Sequence, residues 1–245
     1  MRINRFLAQC GVASRRKAEA LVLDGRVTKN GETIHDLATD ILETDQVCVD
    51  GKVVYPLSER LVLAYHKPRG FICSHHDPFG AALIYDQLPK NKGLFSIGRL
   101  DRDSEGLLLV TNDGKLAQRI AHPSGETEKE YVVVLHRPFV ASDADALVRG
   151  INVDGTRMRM DAVQRYVGGK KDALWESVLS AWPPSCASSC IIRVTLHEGH
   201  KREIRRLFAT LHYQVLRLIR VRIDNIFLED IPVGEYRLID GKGKG

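Results

Sequence analysis

The sequence predicts an α+β chain of two domains: a small N-terminal αβ unit, followed by a larger domain built on a mostly antiparallel mixed sheet. Two observations support this prediction. Helical spacing of apolar residues occurs early, in segments 3–9 and 15–23, directly before the first hairpin pattern. From residue 61 onward the chain contains many short strands separated by Gly and Pro, without the regular strand–helix alternation of a parallel sheet.

The first predicted domain covers residues 1–60, including a linker at its end. Apolar residues at i, i+3 and i+4, starting from Ile3, predict one helix, and Ser14 is a typical N-cap for a second. The dipeptides Asn30-Gly31 and Asp50-Gly51 predict tight hairpin turns between short strands. Two helices and a small β unit are therefore expected in this domain.

The second predicted domain covers residues 61–240. Its apolar runs predict strands at 61–66, 107–110, 131–135 and 191–196, and helical spacing predicts helices at 116–121, 142–149 and 201–211. A stretch at 168–190, rich in Ser and Pro towards its end, is predicted to be an insertion and is assigned no function. No glycine-rich phosphate loop follows any of these strands, which argues against a nucleotide-dependent enzyme.

The composition is that of an ordinary globular protein, with 44% hydrophobic and 27% charged residues in a chain of 245. No apolar run reaches about 18 residues, so the sequence predicts no membrane span. The first residues lack the apolar core and small-residue cleavage site of a secretory signal. We therefore expect a cytoplasmic protein.

The cysteines and histidines predict neither disulfides nor a metal site. The five cysteines are scattered and odd in number, which is not a disulfide framework. Cys186 and Cys190 would need two further ligands to hold a metal, so we interpret them as plain thiols. The pairs His75-His76 and His197 with His200 are interpreted as surface-loop residues.

The positive charge of the chain is concentrated in two segments. Residues 1–30 carry seven Lys and Arg against two acidic residues, and residues 193–222 carry eight against two. Since the net charge is only +5, the rest of the chain is net acidic. Two basic clusters predict two surfaces that face RNA or DNA, although solvated helix faces would show the same composition.

Three segments combine charged or aromatic residues with a strand or helix pattern. Residues 98–109 (GRLDRDSEGLLL) place alternating charges directly before an apolar strand. Residues 128–133 (EKEYVV) put a tyrosine in a charged strand, and residues 198–207 (EGHKREIRRL) lead from a glycine loop into a helix rich in cations. Each pattern alone would also suit a charged turn, a packed strand tyrosine or a solvated helix.

Together these segments resemble the pseudouridine synthases that modify bacterial ribosomal RNA. The Gly98-Arg99-Leu100-Asp101 motif with the apolar strand after it is the most specific part of the resemblance. Further matching segments are KPRG at 67–70, TNDG at 111–114, HP at 122–123 and PVGEY at 232–236. The N-terminal domain is similar to the S-four-type RNA-binding module, through RINRFL at 2–7, GVASRRKAE at 11–19 and GRV at 25–27.

The resemblance implies a role for each matched residue. Asp101 matches the carboxylate that attacks the target nucleotide, Arg205 the arginine that pairs with it, and Tyr131 the tyrosine that stacks on the flipped base. Arg99 matches a position that can fill the gap left in the RNA stack. The residues predicted to contact RNA are all cationic, namely Arg5, Arg15, Arg16, Lys17, Lys67, Arg99, Arg202 and Arg206.

The chemistry implied by the resemblance suits these residue types. Converting uridine to pseudouridine breaks a carbon–nitrogen glycosidic bond and joins carbon 5 of the uracil to the ribose, without net redox change or hydrolysis, so we expect no cofactor and no metal. An ionised carboxylate can act as nucleophile or as the electrostatic partner of a ribosyl cation. Burial disfavours its charged form, and a neighbouring arginine opposes that effect. Extruding the uridine costs about a few kcal/mol, which stacking on an aromatic face offsets by about 1–3 kcal/mol.

Parts of the same sequence would also suit other assignments. Asp103 is the nearest competitor for the catalytic role, and Asp101 is preferred because it fits the family motif. A non-catalytic RNA-binding protein would share the basic clusters but would have no reason to keep the whole catalytic trio. A glycoside hydrolase would need a second carboxylate as general acid, from Asp103 or Glu105.

The expected partner is structured RNA, most of all ribosomal RNA or a ribosome assembly intermediate. The TNDG and HP elements favour the members that act on the large subunit slightly over those that act on the small subunit, and a minority of relatives act on tRNA. We expect the protein to work as a monomer, without a membrane.

Overall fold

The computed structural model of the chain describes residues 1–90, 92–121, 127–165, 188–197 and 199–239. The predicted insertion at 168–190 lies outside the described residues except for its last three, and the HP element at 122–123 lies outside them entirely. Within the described ranges, an N-terminal four-stranded sheet and a later nine-stranded sheet account for most of the strands.

The N-terminal unit packs two helices against a four-stranded antiparallel sheet. Its elements are α1 (Ile3–Gln9), α2 (Arg15–Leu23), β1 (Val27–Lys29), β2 (Glu32–Thr33), β3 (Val47–Val49) and β4 (Lys52–Val53), with strand order β2-β1-β3-β4. The Ser14 hydroxyl accepts a hydrogen bond from the Lys17 amide at 3.4 Å, so the predicted N-cap of α2 is confirmed. The core of the unit joins helices and sheet through Ile3, Leu7, Ala18, Val22, Val27, Ile41, Val47 and Val49.

The two predicted hairpin turns are confirmed by their backbone angles. Asn30 and Gly31 have φ values of 51° and 89°, and Asp50 and Gly51 have φ values of 49° and 75°. A two-residue turn whose twist matches the flanking strands requires positive φ at both central residues, which Asn, Asp and Gly adopt most readily. The residue types at these two turns therefore fix the strand register of both short hairpins.

The described residues from 61 onward form a nine-stranded sheet, a separate hairpin and the helices that cover the sheet. The strands are β5 (Val62–Lys67), β6 (Phe95–Ile97), β7 (Glu105–Thr111), β8 (Lys129–Leu135), β11 (Ala162–Arg165), β12 (Ile191–Leu196), β13 (Val215–Ile223), β14 (Ile226–Phe227) and β15 (Tyr236–Leu238). The main path runs β11-β12-β8-β13-β7-β5-β15, with β14 on β13 and β6 on β7. A separate hairpin pairs β9 (Ile151–Val153) with β10 (Thr156–Met158), and the helices are α3 (Gly114–Ala121), α4 (Asp143–Arg149) and α5 (Glu203–Thr210).

The large sheet is buried on both faces. On one face, α4 and α5 pack over side chains of β5, β7, β8, β12 and β13, and this cluster includes Tyr131 and Leu100. On the other face, a smaller cluster around Leu107, Ile219 and Val221 packs beneath α3. Strands that are buried on both faces appear as continuous apolar runs, which is why residues 107–110 were recognisable from the sequence.

All strand pairs of the large sheet are antiparallel except β7 and β13, which run parallel and meet at Gly106. Gly106 has φ +103°, and a Cβ at this position would lie 2.3 Å from the Arg220 carbonyl oxygen and 2.7 Å from its nitrogen. Only glycine permits both this backbone angle and this close approach. Position 106 therefore requires glycine, because the backbone of β13 lies directly against it.

The predicted fold class is confirmed: the structure is α+β, with a small N-terminal unit before a mostly antiparallel mixed sheet. The predicted strands and helices all occur, with ends shifted by a few residues; the helix predicted at 201–211, for example, spans Glu203–Thr210. The longest strand, β13, was missed, because its arginines dominated the pattern of residues 193–222. Also missed were the short strands β6, β9, β10, β11, β14 and β15.

Candidate active site

Asp101 lies on the loop between β6 and β7, and the main chain of this loop is held by hydrogen bonds at five successive carbonyl groups. The oxygens accept as follows: Leu100 from Cys73 Sγ at 3.5 Å, Asp101 from Ser104 N at 3.1 Å, Arg102 from Gly70 N at 2.7 Å, Asp103 from Arg205 Nη2 at 2.9 Å, and Ser104 from Lys67 Nζ at 2.8 Å. Leu100 itself is buried in the core at 7% exposure. Main-chain contacts thus fix the position of Asp101.

The Asp101 side chain is half-buried and lies in the field of three cations. Lys67, Arg202 and Arg205 each interact electrostatically with its carboxylate. Within the described part of the chain, however, the carboxylate forms no ion pair within 4 Å. The Asp101 carboxylate therefore lies in a positive electrostatic environment, and none of the three cations is paired directly with its oxygens.

Arg205 is buried by α5 and contacts Asp103 instead of Asp101. Its Nε lies 3.2 Å from Asp103 Oδ2, Nη2 donates to the Asp103 carbonyl oxygen at 2.9 Å, and Nη1 donates to the Val215 carbonyl oxygen at 2.8 Å. Burial lowers the pKa of Arg205, while the charges of Asp103 and Asp101 oppose that effect. The predicted direct pair of Arg205 with Asp101 is thus wrong for this structure, because the loop presents Asp103 to the guanidinium.

Asp103 also binds the arginine at the start of α5. Arg202 donates from both terminal nitrogens to the two carboxylate oxygens of Asp103, at 2.9 and 3.0 Å, in a bidentate pair. Burial alone would raise the pKa of Asp103, but the hydrogen bonds from Arg202 and the charges of Arg205 and Arg202 lower it overall. Asp103 stays ionised at neutral pH, which does not suit the general acid of a glycoside hydrolase.

Glu105, the other carboxylate considered as a general acid, is also engaged. It is 6% exposed and accepts hydrogen bonds from Arg217 at 2.6 and 3.2 Å. A general acid must reach the substrate with its carboxyl group, whereas the carboxylate of Glu105 is buried and held by Arg217. The hydrolase interpretation therefore lacks its second carboxylate at both positions.

Lys67, predicted to contact RNA, is fully buried at 0% exposure, so this prediction is wrong. Its ammonium group donates to the carbonyl oxygens of Pro68 at 2.9 Å and Ser104 at 2.8 Å. Burial lowers the pKa of Lys67 to about 8, while the charges of Cys73, Glu105, Asp101 and Asp103 act in the opposite direction. The ammonium group of Lys67 thus anchors the Asp101 loop through the carbonyl oxygen of Ser104.

Tyr131 lies in the middle of the sheet, in one row with two residues of the Asp101 region. Strand register places Tyr131 opposite Arg220, Arg220 opposite Gly106, and Gly106 opposite Lys67. Tyr131 is 9% exposed and belongs to the same apolar cluster as Leu100. Only β13 therefore separates β8, the strand of Tyr131, from β7, the strand that follows the Asp101 loop.

Arg220 is a buried cation beside this tyrosine. It is 3% exposed, its Nε donates to the Leu107 carbonyl oxygen at 2.7 Å, and its guanidinium carbon lies 6.0 Å from the centre of the Tyr131 ring. A guanidinium at this distance from an aromatic face is weakly attracted to it. Arg220 was not singled out from the sequence.

The cations of the N-terminal unit are exposed, as their RNA-binding role would require. Arg15, Arg16 and Lys17 form the first turn of α2 and are all exposed, while Arg5 on α1 is half-buried. Arg99, in the Asp101 loop, is also exposed. Their contact with RNA stays a prediction.

The second basic segment, residues 193–222, is largely paired inside the protein. The pairs formed by its arginines outside the Asp103 group are Arg193 with Glu130, Arg206 with Asp154, Arg217 with Glu105, and Arg222 with Glu128 and Glu130. This segment is therefore not one open basic surface, because β13 places Arg217 and Arg222 against acidic residues of neighbouring strands. A signal was present in the sequence, since apolar residues alternate with Arg220 and Arg222 from Ile219 to Ile223, as in a strand. Contact of Arg202 and Arg206 with RNA stays a prediction.

The described ranges contain no cluster of three or more His, Cys, Asp or Glu that could hold a metal ion. His75 stacks on Tyr85 with ring centres 3.5 Å apart, and His197 pairs with Asp161 at 2.7 Å. Cys190 is a buried free thiol, and Cys186 lies outside the described residues. In the same ranges, no helix has the length and apolarity to cross a membrane.

A carboxylate on a fixed loop among cations, together with a small N-terminal unit that carries exposed basic residues, is the arrangement expected of an enzyme that acts on nucleic acid. Comparisons with known proteins identify the family. Residues 61–210 match the model described as RNA pseudouridylate synthase, and residues 1–47 match the S4 domain, the S-four-type module.

Relatives match along nearly the whole chain. A ribosomal large subunit pseudouridine synthase B of Vibrio cholerae serotype O1 is 36% identical over 250 residues, which cover 98% of this chain and 72% of that protein. An RNA pseudouridine synthase of Mycobacterium leprae, described as uncharacterized, is 34% identical over 246 residues, covering 98% and 89%. A crystal structure of a pseudouridylate synthase superposes with a TM-score of 0.65 at 25% identity, covering 98% of this chain and 96% of that one.

The chain therefore belongs to the RNA pseudouridylate synthase family. It is an RNA pseudouridine synthase with an N-terminal S4 domain, as the Gly98-to-Asp101 motif and the basic N-terminal helices predicted.

Proposed function

We propose that this enzyme isomerises one specific uridine of ribosomal RNA, in the large subunit, with Asp101 as the catalytic carboxylate. The substrate is inferred from relatives named ribosomal large subunit pseudouridine synthase B, of which the matched residues cover 72–73%. The catalytic role is assigned to Asp101 because of its position in the structure. Its loop is held at five carbonyl groups, yet its own carboxylate is left without an ion-pair partner among the described residues.

The proposed reaction begins with extrusion of the uridine from the RNA. Stacking of the uracil on Tyr131 would stabilise the flipped base by about 1–3 kcal/mol, and Arg99 would enter the gap in the RNA. The bond between ribose carbon 1′ and uracil N1 then breaks, and a bond forms between carbon 1′ and uracil carbon 5. Carbon 5 loses its proton and N1 gains one, so atoms and charge balance without any other reactant.

The field around Asp101 supports its role. A carboxylate that serves as nucleophile, or that stabilises a ribosyl cation, must be ionised when the RNA arrives. Lys67, Arg202 and Arg205 each interact electrostatically with Asp101, and none of them blocks its carboxylate by a direct pair. Arg205 thus supports Asp101 through its charge, at a position set by Asp103.

We propose that the enzyme works as a monomer. We also infer that the enzyme acts in the cytoplasm, where ribosomal RNA is transcribed and assembled in bacteria. Comparing pseudouridine positions in ribosomal RNA from cells with and without the gene would identify the target. A map with no lost position in the large-subunit RNA would contradict the proposed substrate.

Asp101→Asn should abolish pseudouridine formation while RNA affinity changes by no more than a few-fold. The amide keeps the size of the side chain but removes the nucleophilic charge. Single-turnover conversion of large-subunit ribosomal RNA and filter binding measure the two quantities. Asp154→Asn is the matched control, since this carboxylate is 83% exposed and pairs only with Arg206 among the described residues. Comparable turnover of Asp101→Asn and wild type would remove Asp101 from the catalytic role.

A further inference from the structure

Next to the Asp101 loop lies a cavity of about 400 Å³ whose lining is mostly cationic. It is formed by Arg69, Gly70, Arg102, Asp103 and Arg202. Three of these five residues carry guanidinium groups, and the single carboxylate among them is already shared between Arg202 and Arg205. The cavity therefore has an excess of positive charge beside the catalytic loop.

The cations of the cavity are not all neutralised within the protein. Arg69 and Arg102 are exposed, and neither forms an ion pair in the part of the chain that the structure describes. The charges of Arg69 and Arg202 also act on Arg205 and disfavour its protonated form. Like charges brought together in this way repel each other until an anion is bound, and such concavities attract anions.

The geometry of the Arg202–Asp103 pair indicates which anion fits. Arg202 holds the carboxylate with two parallel hydrogen bonds, at 2.9 and 3.0 Å. A guanidinium binds phosphate with the same two-pronged geometry, so Asp103 occupies the position that one phosphate group would take. Gly70, on the wall of the cavity, has open space where a side chain would lie, so the RNA backbone can approach.

We propose that the cavity formed by Arg69, Arg102 and Arg202 binds one backbone phosphate of the RNA substrate, and that this phosphate displaces the Asp103 carboxylate from Arg202. This inference rests on the proposed function in that the ligand is RNA. Once Arg202 turns to the phosphate, Asp103 still holds Arg205 through its carboxylate and its main-chain oxygen. Asp103 is then a positioning residue for Arg205 and, in the RNA-free enzyme, an internal competitor of the phosphate.

The first arm of the test removes the free cations one at a time. Arg69→Gln and Arg102→Gln in the full chain should each weaken binding to in vitro transcribed large-subunit ribosomal RNA about three- to tenfold at low salt. Each should also reduce the slope of log Kd against log salt by about one contact. Arg119→Gln is the matched control, an exposed arginine on α3 at the opposite face of the sheet, and it should behave as wild type.

The second arm separates competition from simple structural support. Asp103→Asn should tighten RNA binding, because the competing charge is removed, and should lower the single-turnover rate at saturating RNA, because Arg205 loses its partner. Asp103→Glu, which keeps the carboxylate, should restore part of the rate. A variant that only loosened the fold would lose affinity and rate together, and thermal unfolding would reveal it.

Losses for Arg69→Gln and Arg102→Gln no larger than for Arg119→Gln would overturn the phosphate site. Weaker RNA binding by an Asp103→Asn variant that unfolds at the wild-type temperature would overturn the displacement of Asp103. The binding measurements test the phosphate site even if the RNA is not converted to pseudouridine. Wild-type enzyme that binds this RNA but forms no pseudouridine in it would instead contradict the proposed substrate.

Discussion

Asp101 and Asp103 are the same residue type, two positions apart on one loop, and their contacts give them different roles. Asp103 is occupied by Arg202 and Arg205, which lower its pKa although burial acts against them. Asp101 lies in the field of the same arginines but has no direct ion-pair partner among the described residues. At the scale of single residues, the site consists of one carboxylate kept free and one that holds the arginines in place.

Lys67 is the residue whose behaviour should depend most clearly on pH. Burial lowers its pKa to about 8 in the folded protein, below its ordinary value of 10.5. Below pH 8 the lysine is protonated in both states, and the buried ammonium lowers the free energy of unfolding. Between about pH 8 and 10.5 the folded protein has lost this proton while the unfolded chain still holds it, so the free energy of unfolding rises with pH. Stability relative to a variant without the amine should rise over this window.

Lys67→Met removes the titrating group, so wild type should gain about 1–3 kcal/mol of unfolding free energy relative to the variant between pH 8 and 10. Urea unfolding at several pH values measures this difference. Lys115→Met, at an exposed lysine, controls for the substitution itself. A difference between wild type and Lys67→Met that stays constant across pH would show that burial does not depress the pKa of this lysine.

At the scale of elements, the decisive contact is the parallel pairing of β7 with β13. It brings Arg217 of β13 to Glu105 of β7. The antiparallel pairing of β13 with β8 brings Arg222 to Glu130 and Arg220 to Tyr131. The two strands meet where Gly106 has no side chain and the backbone of Arg220 approaches. The β7–β13 pairing therefore depends on one glycine directly after the catalytic loop.

Gly106→Ala should destabilise the protein by about 2–5 kcal/mol, because the new methyl group meets backbone atoms at 2.3 and 2.7 Å and the positive φ adds strain. Gly155→Ala is the control: its φ of +79° is similarly unusual, but nothing lies within 4 Å of the added carbon. It should cost only the strain, about 1 kcal/mol. Chemical denaturation of both variants measures the comparison, and equal losses would mean that the close approach to β13 is unimportant.

At the scale of the whole molecule, the two basic segments have different uses. Arg217 and Arg222 of β13 form ion pairs within the protein and Arg220 is buried, whereas the N-terminal unit leaves Arg15, Arg16 and Lys17 exposed at the start of α2. Cations at a helix N-terminus are disfavoured by the helix dipole, so they do not stabilise α2 where they are. Their position is consistent with the binding of an external polyanion.

The double variant Arg15→Gln with Arg16→Gln should bind ribosomal RNA more weakly and with a salt slope lower by about two contacts, because fewer counterions are released. Its rate at saturating RNA should stay near that of wild type, since the chemistry lies in the other domain. The matched control is Lys115→Gln with Arg119→Gln, two exposed cations of α3. An unchanged salt slope for the α2 variant would argue against a phosphate-binding role of this helix.

The sequence by itself determined the features that depend on neighbouring residues in the chain. Ser14 marked the start of α2, Asn30-Gly31 and Asp50-Gly51 marked their turns, and the apolar run after Gly106 marked a buried strand. The motif around Asp101 was sufficient to indicate the family, which the comparisons confirmed. Short-range periodicity and turn chemistry carry this information without reference to the rest of the chain.

Only the tertiary structure decided which charges meet. Asp103 lies about a hundred positions from its partners Arg202 and Arg205, and Lys67 is buried under a loop that follows it by 37 residues. A charged residue has the same local pattern whether it faces phosphate, water or a buried carboxylate, so its role depends on strand order and burial. For this reason the arginines of β13 and Lys67 were predicted to face RNA, whereas the fold buries them or pairs them within the protein.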